Sequence, residues 1–328
     1  NGISLIGSGT SRNRVQSRPV NGFYFPTQID SVTDIGILIA EGASENVIDG
    51  ARVRGGSVGI EIRDRNSDRN RLRGVSVSKN RGDGIRLVDD CQHNRIEAES
   101  SIEDNGAHGL VISGVRTSFN LVKESNFNGF TPNKRHAIRI DGAANNNRIE
   151  SSDVQRHEAG GILITGAAES NQIVECTVRG GLLPDDVAKS TIGITIEGGA
   201  TRNQILKSSI TNNGTYGLLI EGPTTTRNYV YDNNFLSNVM AAIRIENAKD
   251  NRIGSATRGG NDIQRGPGNG IHLTGSDASE NRIRNNIIGA TFSTFFLNGG
   301  HGVIVDNGAH NNRIGGARPR FPDPATPQ

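Results

Sequence analysis

Gly84-Ile85-Arg86-Leu87-Val88-Asp89-Asp90-Cys91-Gln92-His93-Asn94-Arg95-Ile96 decides the reading of this chain, because its phrasing returns along the whole length. A small residue opens it, two aliphatics flank a variable position, and after about seven residues comes Asn, any residue, aliphatic. Before it stand Gly36-Ile37-Leu38-Ile39 to Asn46-Val47-Ile48 and Gly59-Ile60-Glu61-Ile62 to Asn70-Arg71-Leu72. After it come Gly109-Leu110-Val111-Ile112 to Asn120-Leu121-Val122 and Ala137-Ile138-Arg139-Ile140 to Asn147-Arg148-Ile149. Later copies set their asparagines at 171, 203, 228, 251, 281 and 312, so the spacings from Asn46 onward are 24, 24, 26, 27, 24, 32, 25, 23, 30 and 31. The apolar pieces alternate with period two over three to five residues and are bounded by Gly, Asn, Ser and Asp, which describes short strands and excludes helices. A third such piece follows each Asn, as in Val75-Ser76-Val77 and Cys176-Thr177-Val178.

Three short strands in about 24 residues make a coil with three sides. One coil alone leaves its aliphatics wet and its backbone unpaired. Coils stacked at about 4.8 Å pair every strand with its copies above and below. The expected fold is therefore all-β, a parallel β-helix of about twelve coils. A leucine-rich repeat of similar period needs a helical segment and a Leu-x-x-Leu-x-Leu phrase, and propeller blades are longer and rich in aromatics. At one corner, an inward Asn from each coil is expected to bond its neighbours and its own turn as a ladder. With this repeat the chain resembles the right-handed parallel β-helix superfamily over nearly its whole length, and the resemblance implies the right-handed winding.

Composition agrees with a long thin core. Of 328 residues 43 are Gly, none is Trp, and aromatics make up 4%. The charge balance of 36 Lys and Arg against 34 Asp and Glu carries no field suited to nucleic acid. No apolar run reaches the roughly 18 residues of a membrane-spanning helix. Cys91 and Cys176 are separated by three coils and different turns, so two free thiols are expected, with no clustered ligands for a metal and no cofactor. The chain begins within a coil and ends in a tail with Pro319, Pro322, Pro324 and Pro327. It reads as a solenoid over 1–316 with a linker at 317–328, part of a longer extracellular or cell-surface protein.

If the aliphatics point inward, the alternate positions point outward and stack into columns. Asp83, His108 and His136 then share one corner of three successive coils, with Arg86, Arg139 and Asp141 on the face beside them and His157 and Glu158 close in phase one coil on. This is the densest set of titratable groups outside simple ion pairs. Inserted loops at 16–35, 129–136, 181–192, 256–269 and 289–300 are expected at the corner before the same strand, walling a groove suited to an extended polymer.

His108-Gly109-Leu110-Val111 and Arg135-His136-Ala137-Ile138 resemble the His-before-strand phrases of mannuronan C5-epimerases, although no Asp-Pro-His occurs in this sequence. The resemblance implies lyase or epimerase chemistry on a polyuronate. Abstracting H5 needs a neutralised carboxylate, a base and a proton donor. Arg86 or Arg139 suits the first and His136 or His108 the second, with Asp83 and Asp141 completing the catalytic candidates. His157 and Glu158 are candidates for substrate binding. Tyr216 lies many coils away. A hydrolase would use Asp141 with Asp83 or Glu197 as its carboxylate pair. The alternative is a non-catalytic module, a stiff spacer or glycan-binding rod, whose surface charges pair along the strands.

Overall fold

A computed structural model describes residues 1–16, 18–20, 23–129, 131–155, 158–180, 192–289 and 297–315. Its strands wind into three parallel sheets of 12, 12 and 11 members. Among the described residues the last coil contributes only two strands, so slightly fewer full coils are seen than the twelve expected. The first sheet contains Ile85–Val88, Leu110–Ser113, His136–Asp141 and Gly160–Ile164, paired in register with Arg86 beside Val111, Val111 beside Arg139 and Arg139 beside Leu163. The second holds the strands after each ladder Asn, such as Arg95–Glu97, and the third holds strands such as Ser101–Glu103. No helix occurs among the described residues, and none is long and apolar enough to cross a membrane.

The core is a column of aliphatics. Ile60, Ile85, Leu110 and Ile138 are fully buried at matched positions of successive coils. Each such side chain contributes about 1.5–3 kcal/mol by leaving water. The small residue that opens the repeat has a steric cause. A Cβ on Gly84 would lie 2.6 Å from the Gly109 carbonyl oxygen, and one on Gly109 2.6 Å from that of Ala137. Ala137 and Ala242 show that the column admits nothing larger than a methyl group.

The Asn ladder runs unbroken from Asn13 to Asn312. Each backbone N–H donates to the Oδ1 of the next ladder Asn at 2.9–3.0 Å. The residue before every ladder Asn is left-handed, with φ of 52–58° at residues as different as Arg69, His93, Phe119 and Asp250. That conformation costs a non-glycine residue about 1–2 kcal/mol. The amide bonds at the corner offset it. Two further polar corners form ladders; the sequence shows one of them as a column of small inward residues, Ser125, Ser152, Cys176, Ser208 and Asn233, and does not display the other. Asn80, Asn105 and Asn133 repeat the same bonding between the third and first sheets, and Asn213 and Asn238 do so again. Ser208, Asn233 and Asn261 follow suit between the second and third.

Cys176 takes its place in that last corner, its N–H donating to Ser208 Oγ at 3.2 Å. Both cysteines are free and buried. Burial is the main cause that raises each thiol, pushing Cys176 up to about 11.

Not every loop sits at the expected corner. The insertion in 256–269 belongs between the second and third sheets, because Asp262–Gln264, the third-sheet strand, follows it rather than precedes it. The 16–35 insertion is displaced in the same way, since its antiparallel pair, Arg18–Val20 with Phe23–Phe25, comes before the third-sheet strand Gln28–Ile29. Residues 181–191, Phe292, Phe295, Phe296 and the tail at 317–328 lie outside the described residues.

Candidate functional site

The repeat itself assembles the site. The Gly84 N–H donates to the His108 carbonyl and the Gly109 N–H to that of His136, which holds Asp83, His108 and His136 at one corner of consecutive coils. The two imidazoles stack, with centroids 5.6 Å apart and planes 13° from parallel. Gly160 leaves room for the His136 ring, since a Cβ there would come within 3.4 Å of Nε2. Asp83 Oδ1 accepts the His108 backbone N–H at 2.9 Å. Asp83, Arg86, His108, Arg135, Arg139 and Asp141 line one surface depression of about 420 Å³. Arg135 is an addition to the sequence reading. Its position next to His136 in the inserted loop was the available signal.

Arg86 is held from below by the buried Glu61 at 3.1 Å and approached by Asp83 at 3.9 Å. Arg139 pairs with Asp141 at 2.6 Å along its own strand. Polar atoms without a protein partner concentrate here. Of ten such buried side-chain atoms among the described residues, six are Arg86 Nε, His108 Nδ1 and Nε2, His136 Nδ1, Arg139 Nε and Asp141 Oδ1. The remaining four are all arginine Nε atoms, so among the described residues every buried imidazole or carboxylate atom without a hydrogen-bond partner belongs to this cluster. Native structures leave few buried polar groups unpaired, and a local breach of that rule marks a functional site.

Electrostatics follow from burial. Desolvation, and then the charges of Arg139 and Arg135, push His108 down to about 4. His136 also falls to about 4, first through burial and then through His108 and the same arginines. Both rings are therefore neutral near pH 7. Burial raises the Asp83 carboxyl, against the opposing pull of the His108 N–H and of Arg86, Arg139 and Arg135.

The other expected residues lie elsewhere. Glu158, expected beside the cluster, is drawn instead to Lys134 at 2.8 Å, with both side chains about half exposed, and does not line the depression. His157 lies outside the described residues. The carboxylate pairs offer poor hydrolytic geometry. Asp83 and Asp141 stand five register positions apart, roughly 16 Å along the strand direction, whereas glycosidase pairs sit about 5–9.5 Å apart. Asp141 and Glu197 are two coils apart, about 9.6 Å, and Asp141 is already bonded to Arg139.

Farther along the same sheet lies a second cluster, which the sequence shows only as surface pairs. Arg244 Nε donates to Glu246 at 2.8 Å, its guanidinium lies 5.3 Å over the Tyr216 ring, and it meets His272 Nδ1 at 3.2 Å. His272 Nε2 in turn bonds Asp306 at 3.0 Å. These groups bond one another, and none of their side-chain atoms is among the buried ones without a hydrogen-bond partner. Among the described residues no group of three or more His, Cys, Asp or Glu is placed to hold a metal.

Comparison with solved structures finds the same solenoid. The periplasmic alginate epimerase AlgG superposes with a TM-score of 0.59 at 13% identity, over 92% of this chain and 75% of that one. The Dettilon tailspike protein gp208 gives 0.61 at 14%, over 89% of this chain and 60% of the tailspike. ORF18 of Geobacillus virus E2 gives 0.51 at 11%, over 84% and 55%. At these identities the likeness is one of fold. No curated protein sequence matches the chain. The family model described as the right-handed β-helix region matches residues 1–154 and 160–318, nearly the entire chain, and the winding, the three sheets and the polar corners agree with it. The chain belongs to the right-handed β-helix family.

Proposed function

We propose that the protein acts on an extended acidic polysaccharide at the cell surface or outside the cell, by removing the C5 proton of a uronate. The observation that carries this reading is the set of unpartnered atoms of Arg86, His108, Arg139 and Asp141 in one depression, with His136 stacked against His108 at its edge. Arg139 or Arg86 would bind the uronate carboxylate and stabilise the negative charge that spreads onto it as the proton leaves. His136 is the base, with His108 stacked against it. Their low proton affinity is set partly by Arg139 and Arg135, and an arriving carboxylate neutralises that field and raises the rings. The C5–H pair then has two outcomes. It forms a C4=C5 double bond with cleavage of the C4–O bond and protonation of the departing oxygen, or C5 recovers a proton on its other face. Asp83, raised by burial, is the donor the cluster offers.

The test is a panel of uronate polymers assayed for unsaturated ends by ultraviolet absorbance, for reducing ends in parallel, and for C5 configuration by NMR. His136→Ala is expected to slow turnover 10²–10⁴-fold, roughly the usual weight of a general base. Unchanged turnover removes His136 from the chemistry. The absence of Asp-Pro-His favours a second reading, a non-catalytic glycan-binding or spacer module. That reading expects binding without product across the panel.

A further inference from the structure

The outer face of the second sheet changes character along the solenoid. In its first half, arginines that follow the ladder Asn meet acids: Arg14 with Asp49 at 2.7 Å, Arg95 with Glu97 at 3.2 Å, Arg148 with Glu150 at 2.6 Å. Farther on, the position two residues beyond the Tyr or Arg that follows the ladder Asn is Tyr231, Gly254 or Arg284, and the acids are gone. There a groove of about 560 Å³ opens, walled by the inserted turn at Ser255–Gly259 and containing no Asp or Glu. Arg252, Arg258, Arg282 and Arg284 line it and make no ion pair among the described residues. Arg284 Nε is buried without a protein partner.

Aromatic rings hold two of these cations in place. Arg252 lies 5.1 Å over the Tyr229 ring and Arg258 5.6 Å over Tyr231. Arg258 Nη1 also donates to the Tyr231 hydroxyl at 3.1 Å, and that hydroxyl donates to Gln204 Oε1 at 3.4 Å. Positioned guanidinium forks suit a ligand with spaced planar anions. The tyrosine rings already carry arginines, so stacked nucleobases have no platform.

We propose that this groove is a binding site for an acidic oligosaccharide, whose carboxylate or sulfate esters are taken by Arg282 and Arg284, beside Arg252 and Arg258 held in place on Tyr229 and Tyr231. It is on a different sheet from the His136 cluster and does not depend on catalysis there.

The chain has no Trp and only four Tyr, two of them in this groove, so tyrosine fluorescence reports on it. The full chain is titrated with a mannuronate hexamer, a sulfated hexasaccharide, a neutral mannose hexamer and a single-stranded DNA oligonucleotide. Arg282→Ala with Arg284→Ala is expected to weaken the better acidic hexamer by tenfold or more, because a factor of ten is about 1.4 kcal/mol, close to the strength of a single charge-assisted hydrogen bond. His136→Ala is expected to leave this signal unchanged, which separates the groove from the proposed active site. Which acidic hexamer binds more tightly tells carboxylate from sulfate recognition. Equal binding of the neutral hexamer, tighter binding of DNA, or an unchanged affinity in a double variant with an unaltered melting midpoint would each overturn the proposal.

Discussion

Replacing Asn147 with Ala tests how the corner supports the first-sheet strand that carries His136 and Arg139. Asn147 is fully buried. Its Oδ1 accepts the Asn120 N–H and the Asn120 Nδ2–H, each at 3.0 Å, and its Nδ2 donates to Thr117 O at 2.9 Å and to Asn171 Oδ1 at 3.1 Å. Truncation leaves the Asn120 N–H with no acceptor, at about 1–3 kcal/mol. Thr117 O and Asn171 Oδ1 retain other donors, so the remaining bonds count at roughly the ordinary 0.5–1.5 kcal/mol each. With three such bonds the sum is about 2.5–7.5 kcal/mol, a large fraction of the roughly 5–15 kcal/mol that stabilises a typical domain. Asn128→Ala is the control, because its exposed amide bonds only Asp153, at 2.8 Å; it should change stability by less than about 0.5 kcal/mol. Urea denaturation followed by circular dichroism reads both variants. A loss below about 0.5 kcal/mol for Asn147→Ala would refute the claim that the amide corner holds the stack together.

Glu280 is exposed with φ of 57°, so Glu280→Gly should raise the unfolding free energy by up to about 1 kcal/mol by relieving left-handed strain; a fall would show that the strain is not there. His108 and His136 have folded values of about 4 against about 6.5 unfolded, so the folded chain resists protonation while the unfolded chain accepts it. Their contribution is present above about pH 6.5 and fades as pH falls toward about 4. Two histidine signals titrating near 4 by NMR, with the urea midpoint falling over that window, are expected, and titration of both near 6.5 contradicts the burial argument. Cys91 and Cys176 should resist alkylation at about pH 8 in the folded chain and react fully in denaturant; rapid labelling of either while folded would contradict their placement.

The sequence announced the solenoid because its ladder Asn and flanking aliphatics recur at one phase, and register turns that phase into columns. Arg86, Val111 and Arg139 do lie side by side, as the periodicity implied. Of the other polar corners, the one through Ser125, Ser152, Cys176, Ser208 and Asn233 was legible only as a column of small residues, because its members vary, and the one through Asn80 and Asn105 stayed hidden because it skips coils. The left-handed residues were unreadable for a different reason: the bonds of the next residue impose the conformation, so Phe119 and His93 accept it without any residue preference. For the site, the sequence supplied the corner and the columns, but not which groups satisfy each other. Arg244 and His272 look as reactive on paper as Arg139 and His136, and only geometry separates the closed network from the open one. The groove around Tyr231 escaped because the turn that walls it was expected at another corner.

Proton abstraction at C5 is common to elimination and epimerisation, so it is the step to measure. The protein is incubated with uronate polymers in deuterium oxide, and the recovered sugars are examined by NMR for deuterium at C5 and by ultraviolet absorbance for C4=C5 ends. One of the two signals is expected with the wild-type chain on at least one polymer, and neither with His136→Ala or Arg139→Ala. Unexchanged, saturated sugars from every polymer with the wild-type chain would contradict the account.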